Sequence, residues 1–98
     1  MEHIRIMGQD YELILDNRQL NQCDHIGEYR GREQKIIIDE RLSKSRIGQT
    51  ILHELLESLV DHLDLQIPHE MINQLDAGLT QIIRDNPNII KKYILGGK

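Results

Sequence analysis

The chain has 98 residues and a formal net charge of −4, and its 16 isoleucines and 13 leucines stand beside three tyrosines and no phenylalanine or tryptophan. This length supports a single domain with an aliphatic core, and the scarcity of aromatic side chains excludes stacking platforms for bases or sugars. The acidic balance excludes a phosphate-binding surface, which needs clustered positive charge. We therefore expect no nucleic-acid partner.

Cysteine usage and the apolar runs indicate where the protein works. The single cysteine, Cys23, cannot form an internal disulfide, and we interpret it as a plain thiol in a reducing compartment. The first residues lack the basic-then-apolar pattern of a signal peptide, and no apolar run approaches about 18 residues. These features predict a small cytoplasmic protein with no membrane partner.

Alternating apolar residues predict a β-rich segment over residues 1–39. Its first hairpin turns at residues 8–10, and the polar residues 17–24 are expected to form a loop. A second hairpin joins strands over residues 26–29 and 34–38. The segment therefore predicts a small antiparallel sheet of about three or four strands.

The apolar period changes to helical spacing after this segment. Residues 43–65 predict a long helix that begins at a serine N-cap. Pro68 suits the first turn of a second helix over residues 68–86, and residues 87–98 form a tail with a short helix at 88–95. Strands followed by helices indicate an α+β fold, with the long helix and the second helix packed on the sheet.

The long helix carries the sequence His53-Glu54-Leu55-Leu56-Glu57. In zinc helices, two ligands four residues apart hold the ion, and the glutamate after the first ligand polarises a water molecule. Here the second ligand position holds Glu57, a harder and less zinc-selective donor than histidine. We expect Leu55 and Leu56 to face the core, His53 and Glu57 to face away from it, and Glu54 to lie at one edge. The alternative is an ordinary solvated helix face.

Charge along the helices favours a functional interpretation. Residues 47–83 contain no lysine or arginine, and they contain six acids: Glu54, Glu57, Asp61, Asp64, Glu70 and Asp76. Like charges spaced along a helix repel one another. We therefore expect a positive charge to offset these acids. It could come from a metal ion, from Lys91 and Lys92 if the tail folds back, or from a basic partner.

The second helix offers a third ligand. Its polar flank carries His69, Asn73 and Asp76 beside the apolar stripe. Asp76 and His69 have the side chains best suited to ligate a metal ion. Side-by-side packing of the two helices would bring this flank to His53 and Glu57.

Three segments of the chain resemble one known family. The sequences IIID at 36–39, TILHELL at 50–56 and GLTQIIRDNP at 78–87 are similar to those of small zincin-like metallopeptidases encoded by bacteriophages and prophages, and the resemblance covers nearly the whole chain. It implies a zincin-like fold, zinc as the cofactor, a peptide or protein substrate, and the bacterial host cytoplasm as the location. His53 would be the first metal ligand and Glu54 the catalytic general base. The family's second histidine corresponds to Glu57 here, and its distal acid to Asn73.

Two functional hypotheses follow. In the first, a divalent ion is held by His53, Glu57 and one group from residues 69–76, with Asp76 preferred and His69 and Asn73 as additional candidates, and Glu54 activates water. In the second, a non-catalytic interaction module uses the acidic surface to bind a basic partner or a second copy of the chain. Both hypotheses leave a homo-oligomer open.

Overall fold

The computed structural model describes residues 1–22 and 24–96, and it confirms the α+β class. Cys23 and the last two residues of the predicted tail lie outside the described residues. The elements in chain order are β1 (Glu2–Ile6), β2 (Gln9–Leu15), a 3-10 turn (Asn17–Gln19), β3 (Gly27–Arg30), β4 (Lys35–Ile38), α1 (Lys44–Leu63), α2 (His69–Asp85), α3 (Pro87–Ile89) and a π-helical turn (Ile90–Ile94).

The four strands form one mixed sheet in the order β1-β2-β4-β3. β1 and β2 are antiparallel and are joined by Met7 and Gly8, whose positive φ angles of 49° and 84° suit a two-residue hairpin turn. β4 pairs antiparallel with β3 and parallel with β2. The prediction of an antiparallel sheet is therefore wrong for the pair β2–β4.

The position of β4 explains the parallel pair. Ile36, Ile37 and Ile38 are fully buried, and a strand that is apolar on both faces belongs in the interior of a sheet. The chain after β2 crosses to the far edge, where it forms β3, and β4 then fills the place between β2 and β3. Alternation of apolar residues predicts where strands form, but it does not predict which strands pair with one another in the sheet.

α1 lies between the sheet and α2 and contacts both. It begins at the N-cap Ser43, whose Oγ accepts from the backbone N–H of Arg46 at 3.2 Å. α2 runs antiparallel to α1. The Arg84 guanidinium, near the end of α2, donates to the hydroxyl and carbonyl of Ser45, near the start of α1, at 2.9 and 2.8 Å. Within residues 1–22 and 24–96, every helix lacks the combination of length and apolar character that a bilayer-crossing segment needs.

Leu55 packs against the core cluster with Ile47 and Ile51, as predicted, but the most deeply buried positions of α1 are polar ones. Its buried residues are Thr50, Glu54 and Ser58, whereas Leu55 and Leu56 are half-buried. β3 passes so close that a Cβ at Gly27 would come within 2.7 Å of the Thr50 methyl group. Glu54 therefore faces the sheet and does not lie at an edge. Its side chain lies against the backbone of β3 at Gly27, where no side chain projects from the strand.

The hydrophobic core lies between the sheet and α1. Ile6, Tyr11, Ile36 and Ile38 form its buried cluster, and apolar side chains of α1 pack against them. Ile38 has no exposed surface, whereas Ile94 in the tail is 69% exposed. The two isoleucines therefore form a matched pair for testing the core.

We expect Ile38→Ala to lower the free energy of unfolding by about 2–5 kcal/mol, because the truncation leaves a cavity in a packed interior. The matched variant Ile94→Ala should change it by less than about 0.5 kcal/mol. Urea denaturation followed by circular dichroism measures both values. Equal effects of the two substitutions would contradict this placement of the core.

Candidate active site

A cleft of about 590 Å³ runs along α1 on the side that α2 and β3 leave open. α1 forms its floor, residues 24–29 form one wall, and His69, Asn73 and Asp76 of α2 form the other wall. The floor residues are Arg46, Gln49, Thr50, His53, Glu54 and Glu57. The structure thus brings all six sequence-predicted site residues to one cleft.

His53 is held in place by Asp76 across the interface of α1 and α2. Its Nδ1 lies 2.6 Å from Asp76 Oδ2, and both side chains are largely buried. Because a carboxylate accepts this hydrogen bond, Nδ1 carries the proton and Nε2 keeps a free lone pair. Gln49 Nε2 donates to the other oxygen of Asp76 at 2.8 Å. Asp76, predicted as a ligand, therefore uses both oxygens within the protein.

His53, Glu57 and His69 each offer one ligand atom, and these atoms lie within 4.8 Å of one another. His69 Nδ1 is 3.5 Å from Glu57 Oε1, and the two imidazole rings meet edge to face with centroids 5.2 Å apart. Ligands of a tetrahedral zinc ion at about 2.1 Å lie roughly 3.4 Å apart. His69 Nδ1 and Glu57 Oε1 already lie close to that separation.

Glu54 is one of two deeply buried acids of the cleft, with 7% of its surface exposed against 6% for Asp76. Burial raises the pKa of its carboxyl group to about 7, and the nearby charges of Glu57, Glu28 and Asp76 add to the rise. The Gly27 contact accounts for this burial, since a Cβ at that position would lie 2.9 Å from Glu54 Oε2. Glu54 is thus poised to exchange a proton near neutral pH.

The acids of residues 47–83 have no lysine or arginine partner among residues 1–22 and 24–96. Their only close contacts with a basic side chain there are Asp76 with His53 and Glu57 with His69, whose imidazoles carry a positive charge only when protonated. Folding back of the tail, one of the three alternatives, is not observed: Lys92 lies 5.2 Å from the centre of the Tyr93 ring, and neither tail lysine reaches an acid in the described chain. The candidate metal ion and a basic partner are the two sources of positive charge that remain.

His62 belongs to a separate cluster between the sheet and α1. Its Nδ1 donates to the Ser58 carbonyl at 2.8 Å, and its Nε2 lies 3.3 Å from the Tyr11 hydroxyl. Tyr29 donates to Asp61 Oδ2 at 2.9 Å, and burial, with these hydrogen bonds, raises the pKa of its hydroxyl group. The cluster is a packing contact, and it explains why His62 does not reach the cleft.

Sequence reasoning missed several residues of the cleft, among them Gln49, Arg46 and Gly27. Gln49 lies four residues before His53, and Arg46 lies seven before it, so helical spacing alone could have placed both on the same face. The role of Gly27 carries no such signal, because it depends on how closely β3 approaches α1. Asn73 lines the cleft as predicted, but it makes no hydrogen bond with the ligand candidates in the described structure.

Comparison with protein-family models, with curated proteins and with solved structures gave no significant match. The functional interpretation therefore depends on this chain's own residues.

We expect Glu54→Gln to remove a pH dependence of stability in the metal-free protein. The folded pKa of about 7 lies above the ordinary value of 4.5, so the wild type loses stability as pH rises through this window. The variant should gain up to about 3 kcal/mol over the wild type between pH 4.5 and 8.

Urea unfolding with a chelator present at several pH values measures this difference. Glu70→Gln, which changes an exposed acid of α2, is the control and should keep the wild-type profile. A constant difference between Glu54→Gln and the wild type at all pH values would contradict the raised pKa.

Proposed function

We propose that this protein is a zincin-like hydrolase that cleaves peptide bonds with a divalent ion held by His53, Glu57 and His69. Glu54 would be its general base. The observation that carries the proposal is the convergence of these three potential ligands beside the buried carboxyl group of Glu54. The resemblance to phage-encoded zincin-like metallopeptidases supports the same function.

The residues present fit such an ion. Two imidazoles and one carboxylate are a donor set that catalytic zinc sites use. Asp76 would act as the orienting carboxylate behind a ligating histidine. Glu57 stands where the family has its second histidine, and His69 of α2 would supply the second imidazole. When bound, a divalent ion would polarise the scissile carbonyl and lower the pKa of a nearby water molecule.

Glu54 would carry the proton transfers. Its carboxylate accepts a proton from the attacking water, and the resulting carboxylic acid donates that proton to the departing amine. Both steps need a carboxyl group close to the ion and the substrate. Glu54 directly follows the candidate ligand His53 and lines the same cleft.

The edge of the sheet supports a peptide as the substrate. β3 is an outermost strand, and no strand of the described residues pairs with its edge that borders the cleft. An exposed strand edge accepts an extended peptide as an added strand. The bacterial host cytoplasm suits the proposal, because a chain with a single cysteine needs no oxidising compartment.

Metal binding is the direct test of the ligand set. We expect the chelator-treated wild type to bind one zinc ion, and zinc at 100 times its Kd to stabilise it by about 2.7 kcal/mol. His53→Ala and His69→Ala should lose most of this affinity, and Asp76→Asn should weaken it by about 10- to 100-fold. His3→Ala, which changes an exposed histidine of β1, should bind like the wild type.

Isothermal titration calorimetry and thermal unfolding measure these effects. A wild type that binds no zinc, manganese or nickel would rule out the proposed site. Unchanged affinity in His69→Ala would remove His69 from the ligand set.

Cleavage of a peptide library, followed by mass spectrometry, tests the chemistry. We expect Glu54→Gln to bind zinc like the wild type and to cleave at least about 100-fold more slowly, because it cannot accept a proton. Undiminished cleavage by Glu54→Gln would exclude the proposed general base.

The acidic surface of residues 47–83 supports a second candidate function. The acids accessible on this surface have no lysine or arginine partner in the described chain, so a basic protein could pair with them: Glu57, Asp61, Asp64 and Glu70. A protein that binds no metal ion and associates with such a partner in a salt-dependent way would have this function.

A further inference from the structure

Arg46 lies on the floor of the cleft at the opposite end from Glu57. It is seven residues before His53 on α1, so the two side chains leave the helix within about 20° of the same direction. Their Cα atoms are separated by about 10 Å along the helix axis. Arg46 therefore points into the same cleft as the candidate metal site, two helical turns away.

Arg46 is the one lysine or arginine that lines the cleft in the described structure. Its guanidinium makes no ion pair or hydrogen bond with any residue of 1–22 or 24–96, in contrast to Arg30 and Arg84, which have partners. An exposed arginine without an internal partner is available to a ligand.

Two acids that line the cleft have partners within the protein. Glu28 pairs with Arg30 at 2.6 Å, and Asp76 accepts a hydrogen bond from His53 at 2.6 Å. Glu57 is a proposed ligand, so the ion would offset its charge. Arg46 has no such partner in the described chain, so its guanidinium is the positive group of the cleft that a ligand can reach.

We propose that Arg46 binds a carboxylate of the substrate, either an aspartate or glutamate side chain or a free C-terminal carboxylate. This inference rests on the proposed function and names its substrate class. A guanidinium donates two parallel hydrogen bonds to a carboxylate, a geometry that a lysine cannot supply.

The spacing sets the position of that carboxylate. An extended peptide advances about 3.3 Å per residue. The β3 wall of the cleft follows α1, since Gly27 lies against Thr50 while Gly31, just after the end of β3, approaches Asp61. A distance of about 10 Å corresponds to three residues. The anionic group should therefore lie about three residues from the bond that is cleaved.

Peptide binding to the chelator-treated full chain tests the inference without any cleavage. The probes are fluorescein-labelled nonapeptides that carry one glutamate at successive positions, their glutamine counterparts, and the same sequences with a C-terminal carboxylate or amide. We expect one anionic form to bind about tenfold more tightly than its neutral counterpart in fluorescence anisotropy. The position series and the terminal pair separate the two sources of the carboxylate.

Three variants assign the preference to Arg46. Arg46→Gln should abolish it, and Arg46→Glu should shift it to a lysine-bearing peptide. Lys44→Gln removes a neighbouring cation of α1 that does not line the cleft, and it should leave the preference intact. Circular dichroism confirms that each variant is folded.

The outcomes separate this inference from the proposed function. No binding of any probe, equal affinity for anionic and neutral probes, or an unchanged preference in Arg46→Gln would overturn the role of Arg46. Zinc-dependent cleavage could still occur in each of those cases. Conversely, an anionic preference that depends on Arg46 would stand even in a protein that cleaves nothing.

Discussion

The hydrogen bond between His53 and Asp76 is the interaction on which the cleft depends. It joins α1 to α2 at 2.6 Å in a largely buried setting, where a charge-assisted hydrogen bond is strong and the loss of one partner is costly. It sets the tautomer of the imidazole, leaves Nε2 free and holds the flank of α2 that carries His69 opposite Glu57. One hydrogen bond therefore both holds the two helices together and orients a candidate metal ligand.

A second constraint is the close approach of β3 to α1 at Gly27. The absence of a side chain there lets the strand lie against Thr50 and Glu54. The same contact removes Glu54 from water and raises its pKa to about 7. The packing of β3 on α1 thus raises the pKa of Glu54, the proposed proton-transfer group. Burial commonly shifts the pKa of such groups in proteins.

Helical periodicity predicted much of this site, because a helix face follows directly from residue spacing. The pairing of His53 with Glu57 on one helix, and the polar flank of α2 as a source of further groups, needed no tertiary information. The separate roles of Asp76 and His69 on that flank could not be predicted without tertiary information. Asp76 and His69 were both chemically suitable ligands, and only the packing of α2 on α1 placed Asp76 behind His53 and His69 beside Glu57. The sheet pairing of β2 with β4 was missed for a related reason, since strand order depends on long-range contacts.

The amino-acid sequence by itself determined the α+β class, the two long helices and the residue types available for chemistry, because these depend on local periodicity and side-chain identity. Tertiary structure alone decided how closely β3 approaches α1, and this approach buries Glu54, which the sequence placed at an edge of the helix. It also placed Arg46 at one end of the cleft. The physical reason is that burial and electrostatic environment arise between elements distant in sequence, and no local pattern records how closely those elements approach.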